Sequence, residues 1–307
     1  MKVLLTGATG LVGTALVDLL LAEGHTVHYL TTRKQKIENK EKRKGFYWDP
    51  ANGELDMAAL EGVSAIINLA GASISQRWTA KNKKKILNSR LQSLETLYNA
   101  LERSQNTNIK MLVTASAIGI YPSSASKFYD ENEKGVDDGF LGQVVKAWES
   151  KADTFTKLNL KVAKIRIGLV LSTEGGALPS LVRPIKYYVG APLGSGNQWQ
   201  SWIHIDDLAQ LFVFVIKKGL AGVFNGVAPN PVTNAKLTKE AGKVLKRPLW
   251  LPNVPKWVLR LVLGEMSYVV LASQRVSSKK IEEQGFVFEY ANIAGALQNL
   301  LNKPSSR

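Results

Sequence analysis

The sequence predicts an α/β chain: a Rossmann-like, doubly wound parallel sheet with a smaller C-terminal substrate lobe. Three observations predict it. An apolar strand, Lys2–Thr6, runs directly into glycines at positions 7, 10 and 13, and a helical run over Thr14–Ala22 follows at once. Strand-like and helix-like segments then alternate as far as Gly168, the pattern of a parallel sheet covered on both faces. Beyond Ser172 the texture changes, and Gly175, Gly176, Pro179, Pro184, Gly190, Pro192, Gly194 and Gly196 cut the chain into short pieces. The expected division is residues 1–172 as a nucleotide-binding core and 173–307 mainly as substrate lobe and C-terminal extension, with about 201–228 returning to the core.

Each glycine of the first loop has a physical task. Gly7 turns the chain sharply off the strand, Gly10 allows close approach of a pyrophosphate, and Gly13 lets the helix pack close to the sheet. The helix N-terminus offers free N–H groups and partial positive charge to phosphates, so Gly7, Thr9, Gly10, Leu11, Val12 and Gly13 are expected to bind a dinucleotide. A ligand-free βα turn is the bland alternative.

The next elements follow in order. Thr26–Thr31 reads as a second strand, Asp56–Leu60 as a short helix and Ala65–Leu69 as a buried strand. Ala80–Arg103 reads as a long helix, Lys110–Thr114 as a strand, Leu141–Leu158 as a helix and Lys161–Ile167 as a strand.

The end of the second strand selects the cofactor. A carboxylate there would bind a ribose 2′-hydroxyl; the chain has Thr32 and Arg33 instead, and a guanidinium suits a 2′-phosphate. The expected cofactor is therefore NADP(H), against the alternative of a loop arginine in water. The small residues of Asn68–Gly71 permit close approach to the adenosine side. Arg90 on the long helix either faces the dinucleotide or lies at the surface.

Composition narrows the function classes. The chain has 307 residues, 45% of them hydrophobic, and no cysteine, so disulfides, thiolate-bound zinc and thiol catalysis are excluded. The three histidines lack metal-ligand spacing, and no metal is expected. No apolar run approaches the ~18 residues that span a bilayer, no leader is expected, and the expected location is cytoplasmic with no membrane partner. The net charge is +15, with lysines gathered in Arg33–Lys44 and Lys81–Lys85. Aromatics do not interleave with these lysines, so they read as solvated faces and no nucleic-acid partner is expected. Stacking the lysine-rich long helix across a two-fold axis would be costly, which favours a monomer over a helix-paired dimer.

Further motifs carry a resemblance: Ala115–Tyr121, Ser89–Arg90, Gly194–Leu208, Asn225–Pro229, Leu263–Glu265, Ser273–Val276 and Gly285–Phe288. With the first loop, they make the chain resemble the atypical, extended short-chain dehydrogenase/reductases of the NAD-dependent epimerase/dehydratase-like family. More narrowly, it is similar to the "epimerase family protein" subgroup with its C-terminal extension domain. The resemblance implies NADP(H) binding, with Thr32 and Arg33 at the 2′-phosphate, Leu69, Ala70 and Gly71 lining the cofactor, Arg90 at its polar middle and Val170 by the nicotinamide. It also implies that Ser116 is a catalytic serine that polarises a reacting oxygen.

One departure matters. The acid–base pair of these enzymes is Tyr-x-x-x-Lys, and no tyrosine here stands four residues before a lysine in the matching helix. With Glu149 as landmark, Leu141 and Val145 hold the pair's places, and Glu149 itself is expected to anchor a loop. Tyr121 is expected to be the proton donor, or else a packed aromatic. Lys146, Tyr129 and His204 are weaker substitutes, and His204 reads equally as a core histidine. Arg183, Trp199 and Trp202 are expected to line a substrate pocket. The expected function is NADP(H)-dependent oxidoreductase or epimerase-type chemistry on a small molecule, with a non-catalytic NADP(H) sensor as the alternative.

Overall fold

The computed structural model describes residues 1–104 and 108–302. A nine-stranded sheet forms its centre, and seven of the strands run parallel: β1 (Lys2–Thr6), β2 (Thr26–Thr31), β3 (Arg43–Asp49), β4 (Ala65–Asn68), β5 (Met111–Ala117), β6 (Lys161–Ile167) and β7 (Gly222–Gly226). Their spatial order is β3-β2-β1-β4-β5-β6-β7, and two short antiparallel pieces, Asn39–Lys40 and Glu54–Leu55, pair with β3. The order reverses between β1 and β4, which opens a crevice at their carboxyl ends. The central strands are apolar because helices bury both faces; Val3, Leu4, Leu5, Ile66, Ile67, Leu112 and Val113 are fully buried.

The α-helices of eight or more residues are α1 (Leu11–Ala22), α2 (Ala80–Arg103), α3 (Phe140–Asp153), α4 (Leu178–Lys186), α5 (Ile205–Lys218), α6 (Asn234–Val244), α7 (Lys256–Leu263) and α8 (Ile293–Asn302). On the sheet, α1 packs against α5 and α2 against α3. A second apolar cluster joins Leu178, Val182 and Ile185 of α4, Trp202, Leu237 and Ala241 of α6, and Ala296 and Leu297 of α8. Ile281, Phe286 and Phe288 reach back into the main core, where Phe286 meets Phe214 edge-on.

Several elements differ from expectation. The first helix begins at Leu11, three residues early, because Gly10 itself is the cap. The expected helix over Leu141–Leu158 starts at Phe140 and tightens to a 3₁₀ turn over Thr154–Leu158, closed by Asn159 in the left-handed region. The expected helix at Asp56–Leu60 is a 3₁₀ turn over Met57–Leu60, with Asp56 accepting from the Ala58 N–H. The strand expected at Lys110–Thr114 extends to Ala117, and the one at Ala65–Leu69 stops at Asn68. Strand β3 was not expected: its Arg43 and Lys44 belong to the basic stretch read as a solvated face.

Candidate functional site

The glycine loop sits at the crevice. Gly7 has φ +70°, and a Cβ there would press on the Leu69 carbonyl carbon at 3.0 Å. A Cβ on Gly13 would overlap the Gly7 carbonyl oxygen, so only glycine lets α1 start this close to the loop. No side chain caps α1, and its first turn carries no acidic residue. The end of this helix is therefore open to an anion.

A line of polar side chains fixes the neighbouring loop. Thr6, Asn68 and Thr114 are direct cross-strand partners on β1, β4 and β5. The Thr6 hydroxyl donates to Asn68 Oδ1 at 2.7 Å and accepts from the Leu69 and Ala70 N–H groups at 3.0 Å. Asn68 Nδ2 donates to Thr114 Oγ1 at 3.1 Å. Leu69 and Ala70 are thus pinned over the end of β1, beside Gly7.

Arg90 is half-buried under this loop. Its Nη1 donates to the Ala72 and Ile86 carbonyls at 3.2 and 2.9 Å, and its guanidinium lies 5.0 Å from the Trp148 ring centre. Gly71 makes room, since a Cβ there would stand 3.2 Å from Arg90 Cζ. Burial pulls the Arg90 pKa down to about 10. Among the described residues no carboxylate pairs with it. At the end of β2, Thr32 and Arg33 are exposed, Arg33 forms no ion pair among the described residues, and its N–H donates to Thr31 Oγ1 at 3.2 Å. Val170 lies in a short strand, Leu169–Leu171, and, like Leu11 and Val12, packs against the second apolar cluster. The structure therefore brings Gly7–Gly13, Leu69–Gly71, Arg90 and Val170 around one crevice, with Thr32 and Arg33 at the end of the next strand.

Ser116 and Tyr121 belong to a different construction. Ser116 donates its hydroxyl proton to Glu149 Oε1 at 2.6 Å. Arg166 grips the same carboxylate with two bonds, Nε to Oε1 at 2.8 Å and Nη2 to Oε2 at 2.9 Å. Its Nη1 donates to the Tyr121 hydroxyl at 3.0 Å, which in turn donates to Asn225 Oδ1 at 2.8 Å. All five side chains are buried. Burial works against the Glu149 charge, but the Arg166 hydrogen bonds and charge, with the Ser116 bond, hold its pKa below the usual carboxylate range. Burial pushes the Tyr121 phenol up to about 12, against the pull of Arg166.

The expected roles change accordingly. Tyr121 stacks on Tyr129 with ring centres 5.2 Å apart, is fully buried and has its proton engaged; it is the packed aromatic and not a solvent-facing acid. Ser116 has its only donor proton committed to Glu149. Among the described residues the Glu149 side chain ties α3 to β5 and β6, through Ser116 and Arg166, and not to a loop. It stands eight residues from Leu141, about 12 Å along α3. A Tyr121→Phe variant should lose about 1–3 kcal/mol of stability, because Asn225 and Arg166 lose a buried partner; a denaturant titration measures it.

The remaining candidates scatter. Lys146 lies on the exposed side of α3. His204 is buried, caps α5 by accepting from the Asp206 N–H at 3.1 Å, and stacks on Tyr290 at 3.9 Å. Trp202 is fully buried against α4, while Arg183 lies on that helix's exposed side, so these two do not share a pocket wall. Trp199 donates from its indole to the Ala125 carbonyl at 3.1 Å and is covered by Arg275 at 4.5 Å.

A cavity of about 550 Å³ lies elsewhere, at the N-terminal end of α3. Trp78, Ser123, Phe140, Arg260, Tyr268 and Leu271 are among the residues that line it. Phe140 adjoins Leu141, the residue in the absent tyrosine's place. Tyr268 donates to Asp137, which raises the phenol pKa together with burial, burial being the larger cause. Asp137 Oδ1 also accepts from the Gly139 N–H at 3.0 Å and so fixes the start of α3. Sequence reasoning missed this wall, because Trp78, Phe140 and Tyr268 come from three distant segments.

Comparison with known proteins decides the family. The model of the NAD dependent epimerase/dehydratase family matches residues 3–138, and a domain of unknown function, DUF1731, matches residues 254–300. An epimerase family protein of Staphylococcus aureus (strain MRSA252) is 38% identical over 98% of this chain and 99% of its own. The chain belongs to the epimerase family. A chloroplastic member of Arabidopsis thaliana, the SDR39U1 homolog, is also 38% identical over 98% of this chain and 87% of its own. The human epimerase family protein SDR39U1, solved as a crystal structure with NADPH, superposes with a TM-score of 0.87 at 30% identity, covering 99% of this chain and 100% of that one. This epimerase family member thus shares its Rossmann-like fold and C-terminal extension with that protein. No helix among its described residues is long and apolar enough to cross a membrane.

Proposed function

We propose that this epimerase family member binds NADP(H) and uses it for oxidoreductase or epimerase-type chemistry on a small molecule. The carrying observation is the crevice itself: an uncapped α1, a glycine cradle that a Cβ would fill, and Arg33 unpaired where a carboxylate would select NAD(H). The human relative with NADPH, similar over the whole chain, supports the same reading. The residues present fit the dinucleotide. The first turn of α1 and the half-buried cation of Arg90 meet the phosphates, Thr32 and Arg33 the 2′-phosphate end, Leu69 and Ala70 the adenosine side, and Val170 the nicotinamide side. When bound, NADP(H) supplies or accepts the hydride. The 550 Å³ cavity, lined by Phe140 next to Leu141 in the chain, is the substrate space in this reading, and Trp78, Phe140 and Leu271 are its apolar lining.

A second reading is a non-catalytic NADP(H) binder that responds to redox state. It rests on the apolar Leu141 and Val145 and on the engagement of Ser116 and Tyr121 in the buried network. Titration of tryptophan fluorescence with NADPH and NADH tests what both readings share. NADPH should bind more tightly, and Arg33→Ala should weaken it by roughly 10- to 100-fold while leaving NADH nearly unchanged, the loss of one charge-assisted phosphate contact. Equal affinity for both nucleotides before and after the substitution removes the proposed role of Arg33. Hydride exchange with a panel of carbonyl compounds then separates enzyme from sensor.

A further inference from the structure

Helix α7 carries its apolar residues on the wrong side for a core helix. It buries only Leu259, while Trp257, Leu261 and Val262 are 69%, 70% and 66% exposed. Trp250, a few residues upstream, is 66% exposed. Leaving side chains of this size in water opposes burial, the main driving force of folding, and a cluster of them marks a contact surface. The surrounding charge is of one sign. From Lys246 to Gly264 the chain holds Lys246, Arg247, Lys256 and Arg260 and no carboxylate. The next carboxylate along the chain, Glu265, is ion-paired with Lys83 of α2. Glu265 is thereby neutralised.

We propose that this face docks on an anionic lipid surface, with Trp257, Leu261 and Val262 in the headgroup–acyl boundary and the flanking lysines and arginines on lipid phosphates. Tryptophan flanked by Lys and Arg fits that boundary, where one end of a side chain is apolar and the other wet. An anionic surface answers the charge: each cation near it adds attraction, and the apolar side chains supply the part that salt does not screen. A second copy of this chain fits less well, since it would bring the same four cations of residues 246–264 against each other. No membrane partner was expected from the sequence, because that exclusion concerned long apolar runs, and an eight-residue amphipathic helix escapes it.

The test is sedimentation of the full chain with vesicles of phosphatidylcholine alone, or of phosphatidylcholine mixed with phosphatidylglycerol. Binding should appear with the mixed vesicles and not the neutral ones. Brominated acyl chains should quench tryptophan emission, since only Trp250 and Trp257 are exposed among the tryptophans. The double variant Trp257→Ser/Leu261→Ser keeps every charge and should partition about tenfold less, with NADPH affinity unchanged as the check on folding. Undiminished sedimentation of that variant would show that charge on some other face suffices, and the proposal falls. A native dimer that the variant converts to monomer, without vesicle binding, would make a second copy the occupant and overturn it equally.

Discussion

Arg166→Met should be among the most destabilising single substitutions in the chain, at about 3–5 kcal/mol of unfolding free energy. The cost arises from what is left behind. Glu149 would remain ionised in a buried site with only Ser116 as partner, and the Tyr121 hydroxyl would lose a donor. Removing the second charge as well distinguishes this cause from simple loss of packing. Arg166→Met/Glu149→Leu should be less destabilised than Arg166→Met alone, because no unpaired charge stays inside. The pH dependence carries a sign. In the native protein the Glu149 pKa is lowered, so its contribution is fully present above the unfolded value near 4.5 and fades as pH falls through the folded one. In Arg166→Met burial is no longer opposed by the guanidinium, and the pKa rises above that value. The penalty then acts at neutral pH and is relieved on acidification. Native and variant stabilities should therefore converge as pH falls from 7 toward 5, measured as denaturation midpoints at each pH; a constant gap would mean that the charge is not the cause.

Gly13→Ala should abolish nucleotide binding more thoroughly than any polar substitution in the crevice. The added methyl would overlap the Gly7 carbonyl oxygen, and that oxygen cannot swing away, because Gly7 is itself held in the left-handed region against Leu69. The overlap is relieved only if α1 withdraws from the loop, which moves its N–H groups off the phosphates. NADPH affinity should fall at least about 100-fold, or ~2.7 kcal/mol, with a further loss of about 1–3 kcal/mol in stability from overpacking. Gly295→Ala is the matched control. It sits in α8 with open space around it, and should be neutral or slightly stabilising. Native affinity in Gly13→Ala would show that the nucleotide does not rest on this loop.

The first βα unit was legible because its signal is local: a strand, three spaced glycines and a helix, each glycine answering to a contact within a few residues or, for Gly7, to Leu69. Strand β3 was not, because it lies near the sheet's edge, pairs with β2 on one side and with short pieces on the other, and tolerates Arg43 and Lys44 there. The buried network was partly legible in retrospect. Val145, Trp148, Glu149 and Ala152 form the buried side of α3, and a lone carboxylate in such a stripe asks for a cation. Arg166 in the buried strand β6 is that cation. Which residues complete the set was not legible: Tyr121 and Asn225 are 104 positions apart, and spacing along the chain says nothing about such a meeting. The cavity wall escaped for the same reason, since Tyr268 and Asp137 are 131 positions apart.

The far edge of the sheet closes late in the order of synthesis. Until residues 222–226 leave the ribosome, the outer side of β6 presents unpaired amide and carbonyl groups, a template for any passing strand. The interior stays open longer still, because Ile281, Phe286 and Phe288 must arrive to finish it. Between the completion of β6 at residue 167 and the arrival of Phe288, a nascent chain that already holds the glycine loop exposes an unpaired edge or an unfinished core, both of which favour aggregation. Premature termination before Phe288 should yield a product that keeps the glycine loop in its sequence and lacks the last side chains of its core.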